Sequence, residues 1–276
     1  MQQKTMKEFQ TIILKWYQKN KRSMPWRNTR DPYKILVSEI MLHQTQVSRV
    51  LPKYKEFLAA FPNIKILANA DNKKLLKTWR GLGYWHRATN LKEAAKQITE
   101  HHKGIFPKDA KTLETLPGVG PYTAHALACF AWNAEEPFID TNIRRVYLHF
   151  FFSKRNGVSD TEILKVAKKA VWGKNPREWH YALFDYGAIA LKDKSINKKS
   201  RHYAKQSPFK GSFRSFRTRA LRHILEKRGK RVSQETLENF LETLMRQEET
   251  KYAAKDILAS LEKDGLVKNK KGFYEI

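Results

Sequence analysis

Apolar residues recur at helical spacing along most of this chain, and glycine, proline and short polar stretches interrupt the pattern. Residues 5–19 carry one apolar stripe, and a second helix, opening at Asp31-Pro32, is apolar on nearly every side. Because no alternating strand pattern occurs before residue 260, the chain is predicted to have an all-α main body. Further helices are predicted at 47–60, 64–70, 72–79, 86–102, 109–115, 142 onward, 160–171 and 178–190.

The C-terminal region, 207–276, has a different pattern. A linker at Ser207–Ser212 precedes three predicted helices and a turn at Asn269–Gly272. Three helices and a short hairpin resemble a small winged-helix module. The helices are predicted at 213–228, 233–246 and 251–263.

Positive charge dominates the composition. Lys and Arg number 54 against 27 Asp and Glu, which gives a formal net charge of +27 and a pI near 10.1. The basic residues are densest between Lys192 and Arg231, where only Asp193 and Glu226 oppose them. Such an excess predicts a polyanionic partner, either nucleic acid or an acidic membrane surface.

Other bulk features favour nucleic acid over a membrane. No apolar stretch is long enough to span a bilayer, the mean hydropathy is -0.66, and the N-terminus leads into an amphipathic segment rather than a signal peptide. We therefore expect a cytoplasmic protein, associated with a bacterial or archaeal nucleoid. The single cysteine, Cys129, excludes an internal disulfide and any four-cysteine metal or cluster site, and its apolar neighbours predict burial.

A glycine turn between two helices is predicted at Leu116-Pro117-Gly118-Val119-Gly120-Pro121-Tyr122. Gly118 and Gly120 have no Cβ, so they allow a positive φ and let an external group approach the backbone closely. Amides at the start of the following helix form a site for an anion such as a phosphate. An ordinary helix–helix turn would explain the same pattern.

Two carboxylates lie in settings that need an explanation. Glu39 lies in the apolar helix, where burial raises the pKa of an unpaired carboxyl group, and Asp140 follows an apolar pair. Glycosidic-bond cleavage commonly uses two such groups, because one protonated carboxyl assists the leaving group and one carboxylate stabilises positive charge on the sugar. A buried salt bridge with Arg27 or Arg22 would equally explain Glu39. A helix N-cap before Ile143 would explain Asp140.

Several short motifs, in one order, make the resemblance to a known family specific. They are Met24-Pro25-Trp26-Arg27, Asp31-Pro32-Tyr33-Lys34, Ser38-Glu39-Ile40-Met41-Leu42-His43-Gln44-Thr45-Gln46, Gly81-Leu82-Gly83-Tyr84, Leu116-Pro117-Gly118-Val119-Gly120 and Asp140-Thr141-Asn142. With them, residues 8–191 closely resemble the helix-hairpin-helix DNA glycosylases, above all the adenine DNA glycosylases that act on adenine mispaired with 8-oxoguanine. The resemblance implies a six-helix barrel domain at 25–130 and a helical cluster domain at 1–24 plus 131–206. It also implies a monomer whose partner is double-stranded DNA with a mispair or damaged base.

The resemblance assigns the chemistry to a few residues. Glu39 would protonate the flipped base on N7 and later help activate water, while Asp140 would stabilise an oxocarbenium-like sugar, with Asn142 in the same catalytic set. Related bifunctional enzymes place a lysine where this chain has Tyr122, and that lysine forms a Schiff base with the sugar. Because tyrosine cannot do so, we expect a monofunctional enzyme; Tyr122 as a packing residue is compatible with that interpretation.

The resemblance also assigns contacts with DNA. Gln44, followed by Thr45, would fill the gap left by the flipped base, and Tyr84 would enter as a wedge beside the opposite base. Gly118-Val119-Gly120 would hold a backbone phosphate through its amides and could accept a monovalent cation. The residues implied to line the base pocket are Arg22, Trp26, Arg27 and Tyr181.

One departure concerns a cofactor. The family usually carries four cysteines that bind an iron–sulfur cluster soon after the segment matching Asp185-Tyr186-Gly187-Ala188, and this chain has none there. We therefore expect a cluster-free member without cofactor. The basic stretch 192–222 would pack in place of the cluster and contact phosphate, with Arg214 and Arg217 as the residues to test.

Two further departures concern base identity. Adenine-specific members generally place Gln or Glu where this chain has Tyr181, whose single hydroxyl cannot form a bidentate pair, and His43 replaces the usual Gln. The C-terminal region does not resemble the Nudix-like domain that recognises 8-oxoguanine in the family. We expect a monofunctional adenine mismatch glycosylase. A glycosylase for thymine or uracil opposite guanine and a catalytically silent DNA-binding protein are the alternatives.

Overall fold

The computed structural model describes residues 5–205, 207–227 and 231–276. The chain groups into two compact units: unit 1 comprises Met1–Ile40 and Ile105–Ala204, and unit 2 comprises Met41–Gly104 and Lys205–Ile276. The domain boundaries implied by the resemblance differ from these and stay a prediction. The N-terminal segment 1–4 and two of the basic residues counted above, Arg228 and Lys230, lie outside the described residues.

The predicted α-helical body is confirmed. In chain order the α-helices are α1 (Met6–Asn20), α2 (Pro32–Leu42), α3 (Val47–Ala60), α4 (Ile64–Ala68), α5 (Asn72–Trp79), α6 (His86–His101), α7 (Ala110–Leu113), α8 (Pro121–Trp132), α9 (Thr141–Phe151), α10 (Asp160–Ala170), α11 (Pro176–Asp185), α12 (Phe213–Glu226), α13 (Gln234–Gln247) and α14 (Ala254–Lys263). The prediction at 178–190 placed both ends too late. Pro176 is preorganised for the first helical position, and the backbone changes to a π-helical turn at Tyr186–Ala190. None of the helices in the described ranges has the length and apolar character needed to cross a membrane.

The core of unit 1 includes an aromatic cluster around Phe9. A capping box begins α1, because the side chains and amides of Thr5 and Glu8 bond each other reciprocally. Phe9, one turn later, has no exposed surface, and its ring centroid lies 5.0–5.7 Å from those of four other aromatic side chains. These are Tyr147, Phe150, Phe151 and Trp179. The cluster joins α1, α9 and α11, the helices that flank the residues discussed below.

Backbone hydrogen bonds hold the segment that follows α11. It contains the π-helical turn and a 3-10 helix at Lys194–Lys199. The Val158 amide donates to the Lys199 carbonyl oxygen, and the Val158 carbonyl accepts from the Arg201 amide, each at 2.9 Å. An iron–sulfur cluster needs thiolate ligands, and the one cysteine of the chain, Cys129, is fully buried in α8 as predicted. The residues of this segment therefore do not fit such a cluster.

The C-terminal module belongs to unit 2. Between α12 and α13 lies strand β1 (Val232–Ser233), and after α14 come β2 (Lys268–Lys270) and β3 (Phe273–Glu275). The strands form an antiparallel sheet in the order β1-β3-β2, with Val232 and Asn269 opposite Tyr274. Three helices and a terminal hairpin match the winged-helix-like prediction. Strand β1 lies in this module and was not predicted, because two residues are too few to produce an alternating pattern.

Candidate active site

Glu39 and Tyr122 meet in unit 1. Glu39 lies on α2 and is 5% exposed, and the Tyr122 hydroxyl, in the first turn of α8, donates to Glu39 Oε2 at 3.0 Å. Burial raises the pKa of Glu39 to about 7. The charge of Asp140 also raises this pKa, whereas the hydrogen bond from Tyr122 lowers it. Burial also raises the pKa of Tyr122 well above its usual value. The pair therefore combines a carboxyl group that is partly protonated near neutral pH with a phenol that keeps its proton.

Asp140 is the N-cap of α9. Its Oδ1 accepts from the Ile143 amide at 2.7 Å, and its Oδ2 accepts from Asn142 Nδ2 at 3.0 Å. Burial raises the pKa of Asp140, and these hydrogen bonds oppose the rise because they favour the ionised form. The N-cap interpretation of Asp140 is confirmed. It also fixes the carboxylate in one orientation, which a charge-stabilising group requires.

Aromatic side chains hold this arrangement. Phe138, just before Asp140, makes an edge contact with Tyr122 at 5.7 Å and stacks on His180 at 4.2 Å. His180 Nδ1 lies 2.8 Å from the Pro176 carbonyl oxygen, and burial lowers the pKa of His180 to about 4, so the ring is neutral at physiological pH. Sequence reasoning missed Phe138 and His180. Their signal was one aromatic ring in the loop before α9 and one in α11, and core packing alone would explain both.

Arg22 and Arg27 pair with Asp185 instead of Glu39. Arg22 Nε lies 2.6 Å from Asp185 Oδ1, and Arg27 Nη1 lies 2.8 Å from Asp185 Oδ2. Burial alone would raise the pKa of Asp185, but the hydrogen bonds and charges of Arg27 and Arg22 hold it below its usual value. The suggested salt bridge between Glu39 and either arginine is thus wrong. Asp185 was quoted only as part of a motif, and its pairing with two arginines was missed.

Three of the four residues expected in the base pocket line one cavity of about 520 Å³: Arg22, Arg27 and Tyr181. Tyr181 is 7% exposed and stacks on Phe130 at 4.3 Å, with the Arg27 guanidinium 4.5 Å from the Tyr181 ring centroid. Trp26, the fourth residue, is buried at 3% exposure. The cavity wall combines cationic, aromatic and neutral polar side chains, and neither Glu39 nor Asp140 is among its lining residues.

The hairpin glycines differ from each other. Gly118 has a φ of 75°, which is the left-handed backbone that glycine was predicted to allow. Gly120 has a φ of -88°, so it does not use the positive φ that glycine allows. A Cβ built on Gly120 meets nothing within 4 Å, and Val119 between the glycines is buried at 4% exposure. The protein itself gives no steric reason for glycine at position 120, whereas a close external group would.

In unit 2, Gln44 and Tyr84 contact each other, and we call them the Gln44–Tyr84 pair. The Tyr84 hydroxyl donates to Gln44 Oε1 at 2.6 Å, and both residues have a positive φ, 52° and 45°. Such a backbone is uncommon outside glycine and accumulates at functional sites. Thr45 is the next residue along, and its Oγ1 lies within 3.4 Å of the Leu82 carbonyl oxygen.

Arg87 joins the two loops that carry this pair, and sequence reasoning missed it. Its side chain is buried, with the residue 6% exposed, and its Nη1 donates to the carbonyl oxygens of Met41 and His43 at 3.0 and 2.7 Å. Its Nη2 donates to the carbonyl oxygens of Leu82 and Gly83 at 3.0 and 3.1 Å. Its Nε also donates to the Tyr84 carbonyl oxygen, and a buried guanidinium that satisfies five carbonyls fixes these segments relative to each other.

The two arginines expected to contact phosphate have different surroundings. Arg214 Nη1 donates to the Tyr84 hydroxyl oxygen at 3.3 Å, and its Nη2 donates to the Ser207 carbonyl at 2.8 Å. Arg217 forms an ion pair with Asp264 inside the C-terminal module. Their contact with phosphate stays a prediction.

Similarity to known proteins agrees with this geometry. The family described as HhH-GPD superfamily base excision DNA repair protein matches residues 37–173, which include Glu39, Tyr122 and Asp140. An adenine DNA glycosylase of Buchnera aphidicola subsp. Baizongia pistaciae is 34% identical over 228 residues, 81% of this chain and 62% of that protein. An adenine DNA glycosylase of Mycobacterium tuberculosis is 44% identical over 137 residues, 49% of this chain and 45% of that protein. The chain thus spans less than two thirds of the length of these curated relatives.

A solved structure extends the similarity to the fold. The structure of a thermostable thymine-DNA glycosylase superposes with a TM-score of 0.62 at 30% identity, covering 67% of this chain and 86% of that one. The sequence match includes the carboxylates, and the structural match covers most of the related protein. With a helical body, a hairpin at Gly118–Gly120 and the Glu39–Tyr122 contact, the chain belongs to the HhH-GPD superfamily of base excision DNA repair proteins.

Proposed function

We propose that this chain is a monofunctional DNA glycosylase that hydrolyses the N-glycosidic bond of a flipped, mispaired base, with adenine opposite guanine or 8-oxoguanine as the preferred substrate. One observation carries the proposal: the Glu39 carboxyl group is buried and accepts a hydrogen bond from the Tyr122 hydroxyl at 3.0 Å. Burial raises the pKa of Glu39 to about 7. A carboxyl group with that pKa can donate a proton at neutral pH and take one back.

The chemistry follows from the two carboxyl groups. Glu39 gives its proton to a ring nitrogen of the base, which is N7 for adenine, and the bond between the base and C1′ breaks with its electrons going to the base. Asp140, whose ionised form Ile143 and Asn142 favour, balances the positive charge left on the sugar. Water then adds to C1′ and its proton passes to Glu39, which restores the acid. The products are a free base and an abasic strand.

The absence of strand cleavage follows from Tyr122. A bifunctional enzyme uses an amine to form a Schiff base with C1′, and position 122 holds a phenol whose pKa is raised well above its usual value. A phenol that keeps its proton is a hydrogen-bond donor to Glu39 and a poor nucleophile. This supports a glycosylase that leaves the sugar–phosphate backbone intact.

Several features support DNA as the partner. The formal charge of +27 suits a polyanion, and the open space at Gly120 permits close approach of a phosphate to the amides that begin α8. The Gln44–Tyr84 pair, on its strained backbone, suits insertion into a base stack. We propose that the enzyme acts as a monomer without an iron–sulfur cluster, and that the hairpin can take a monovalent cation.

A second candidate is excision of thymine or uracil opposite guanine. Tyr181 offers a hydroxyl where a Gln or Glu would read the adenine edge, and its ring is already stacked on Phe130. The structural relative at 30% identity is itself described as a thymine-DNA glycosylase.

The test is a panel of labelled duplexes carrying A:8-oxoguanine, A:G, T:G, U:G and 8-oxoguanine:C, each analysed with and without alkali. Wild-type protein, Glu39→Gln and the control Glu100→Gln are compared under single-turnover conditions. Glu100 is exposed on α6, so its substitution makes the same chemical change away from the site. We expect alkali-dependent cleavage of the A:8-oxoguanine and A:G duplexes by the wild type and the control, and none by Glu39→Gln.

Other outcomes contradict specific parts of the proposal. Cleavage of T:G or U:G alone would replace adenine by the pyrimidine substrate, and cleavage without alkali would refute the monofunctional mechanism. Tight binding with intact substrate in all five duplexes would favour a catalytically silent DNA-binding protein. Full activity of Glu39→Gln would remove Glu39 from its role.

A further inference from the structure

Arg214 contacts the Gln44–Tyr84 pair from the C-terminal module. Its Nη1 donates to the Tyr84 hydroxyl oxygen at 3.3 Å, and Tyr84 donates in turn to Gln44 Oε1 at 2.6 Å. The direction of this chain of hydrogen bonds is fixed, because a guanidinium can only donate and a phenol has one hydrogen to give. The bond from Arg214 therefore polarises the phenol toward Gln44.

The same arginine is held on its other side. Arg214 Nη2 donates to the carbonyl oxygens of Ser207 and Pro208, at 2.8 and 3.4 Å. These residues lie in the linker that precedes α12, so the guanidinium joins the linker to Tyr84. A side chain that only provided positive charge for phosphate would not need donors directed at these three oxygens.

The helix that carries Arg214 is fixed within unit 2. Arg219 pairs with Glu248 of the segment after α13 at 2.5 Å, and Arg217 pairs with Asp264. Phe216, the residue before Arg217, has no exposed surface. Near the other end of α12, Glu226 lies 2.7 Å from Arg80. The position of Arg214 is therefore set by the packing of the module and not by the linker alone.

From these contacts we propose that Arg214 is a positioning residue for the Gln44–Tyr84 pair. It holds the Tyr84 hydroxyl so that both side chains keep the geometry needed to enter a duplex beside an extruded base. The winged-helix-like module then contributes to base extrusion through one side chain. The inference rests on the proposed function only in taking double-stranded DNA as the substrate whose base is extruded.

The test measures extrusion without excision. A duplex with 2-aminopurine at the target position opposite guanine is titrated with protein in a Glu39→Gln background, and the rise in fluorescence reports unstacking of the target base. The variants are Arg214→Ala, Tyr84→Phe, their combination and Arg214→Lys. Arg246→Ala, an exposed arginine on α13 of the same module, is the charge-matched control. The salt dependence of the Kd is measured for each variant.

We expect Arg214→Ala and Tyr84→Phe each to lower the extrusion equilibrium by about three- to tenfold, the effect of one hydrogen bond. The combined variant should be no worse than the more affected single variant, because both substitutions break the same chain of bonds. Arg214→Lys should recover part of the signal, and Arg246→Ala should match the background protein. Since Tyr84→Phe removes one oxygen atom, it tests the relay even if Arg214→Ala folds poorly.

Three results would overturn the inference. They are multiplicative losses in the combined variant, unchanged extrusion in both single variants, and a salt slope reduced by about one in Arg214→Ala with normal extrusion, which would make Arg214 a phosphate ligand. Bound protein without any fluorescence rise would overturn base extrusion and the inference together. A normal rise with no excision by the wild type in the duplex panel would refute only the proposed catalysis.

Discussion

The Tyr122 hydroxyl donates to Glu39 Oε2 at 3.0 Å, and this bond opposes the burial that makes Glu39 a weak acid. Burial and the Asp140 charge favour the protonated carboxyl group, whereas a donor favours the carboxylate. The balance puts the pKa of Glu39 at about 7. The pH at which the acid is available is therefore sensitive to Tyr122.

The first prediction concerns Tyr122→Phe. Loss of the donor removes a contribution that lowers the pKa of Glu39, so that pKa should rise and the protonated form should persist to higher pH. The descending limb of the single-turnover excision rate against pH should move up by roughly half to one pH unit, the equivalent of one hydrogen bond. Tyr203→Phe, at an exposed tyrosine of unit 1, is the control and should leave the profile in place. A limb that moves to lower pH would show that Tyr122 does not favour the carboxylate.

The second prediction concerns the stability cost of Glu39. Its pKa in the folded protein is about 7, above the ordinary value of 4.5, so its protonated form stabilises the fold at low pH and this contribution is lost as the pH rises through 7. Glu39→Gln does not titrate. Relative to the wild type, Glu39→Gln should gain up to about 3 kcal/mol in free energy of unfolding between pH 4.5 and pH 8.

Urea denaturation at these two pH values measures the change. Glu100→Gln, at an exposed position, should show the same pH dependence as the wild type. Equal pH dependence in the wild type and Glu39→Gln would mean that Glu39 has an ordinary pKa in the folded protein.

Much of the fold could be predicted because the apolar pattern and the helix-breaking residues indicate the same helix boundaries. Helix α3 occupies Val47–Ala60 as predicted, since a periodic stripe ends at a polar stretch with proline. The short elements could not be predicted in the same way. Strand β1 has two residues, too few for a period, and the π-helical turn at Tyr186–Ala190 has no local signal. Packing against other segments determines these elements.

The site was predictable where chemistry contradicts the local pattern. Glu39 in an apolar helix could be identified because burial of a carboxylate is energetically costly and indicates a functional or structural role. Asp185 and Arg87 could not, because a charged residue at a helical position is usually exposed to solvent. Asp185 pairs with Arg22, 163 positions away, and Arg87 donates to carbonyl oxygens in the last turn of α2 and just after it, 46 and 44 positions away. Periodicity contains no information on contacts over such separations.

The third prediction concerns Asp185→Asn. Asp185 has no exposed side-chain surface and accepts hydrogen bonds from both Arg22 and Arg27, so neutralising it leaves two guanidiniums without their counter-charge. The free energy of unfolding should fall by about 3–5 kcal/mol. Asp160→Asn is the matched control, because Asp160 pairs with Arg144 at 2.7 Å but is 35% exposed, and its loss should cost less than about 1 kcal/mol.

Chemical denaturation at neutral pH gives both values. Losses of similar size in Asp185→Asn and Asp160→Asn would contradict the importance of burial for this pair. Because Arg22 and Arg27 also line the cavity, Asp185→Asn should in addition weaken excision under conditions where the variant remains folded.

The fourth prediction concerns Gly187→Ala, which links the π-helical turn to Asp140. A Cβ on Gly187 would lie 2.3 Å from the Asn142 carbonyl oxygen and 2.8 Å from its carbon, both backbone atoms of the first turn of α9. The Gly187 carbonyl also accepts from Arg145 Nη1 at 2.7 Å, which restricts movement of the turn. The first turn of α9 must therefore shift, and the Asn142 contact with Asp140 shifts with it.

We expect a loss of about 1–3 kcal/mol in stability and a lower single-turnover rate even where the protein is fully folded. Gly173→Ala is the control, since its Cβ would meet only a side-chain oxygen at 3.8 Å. Wild-type stability and rate in Gly187→Ala would show that the turn yields freely and that Gly187 does not position Asp140.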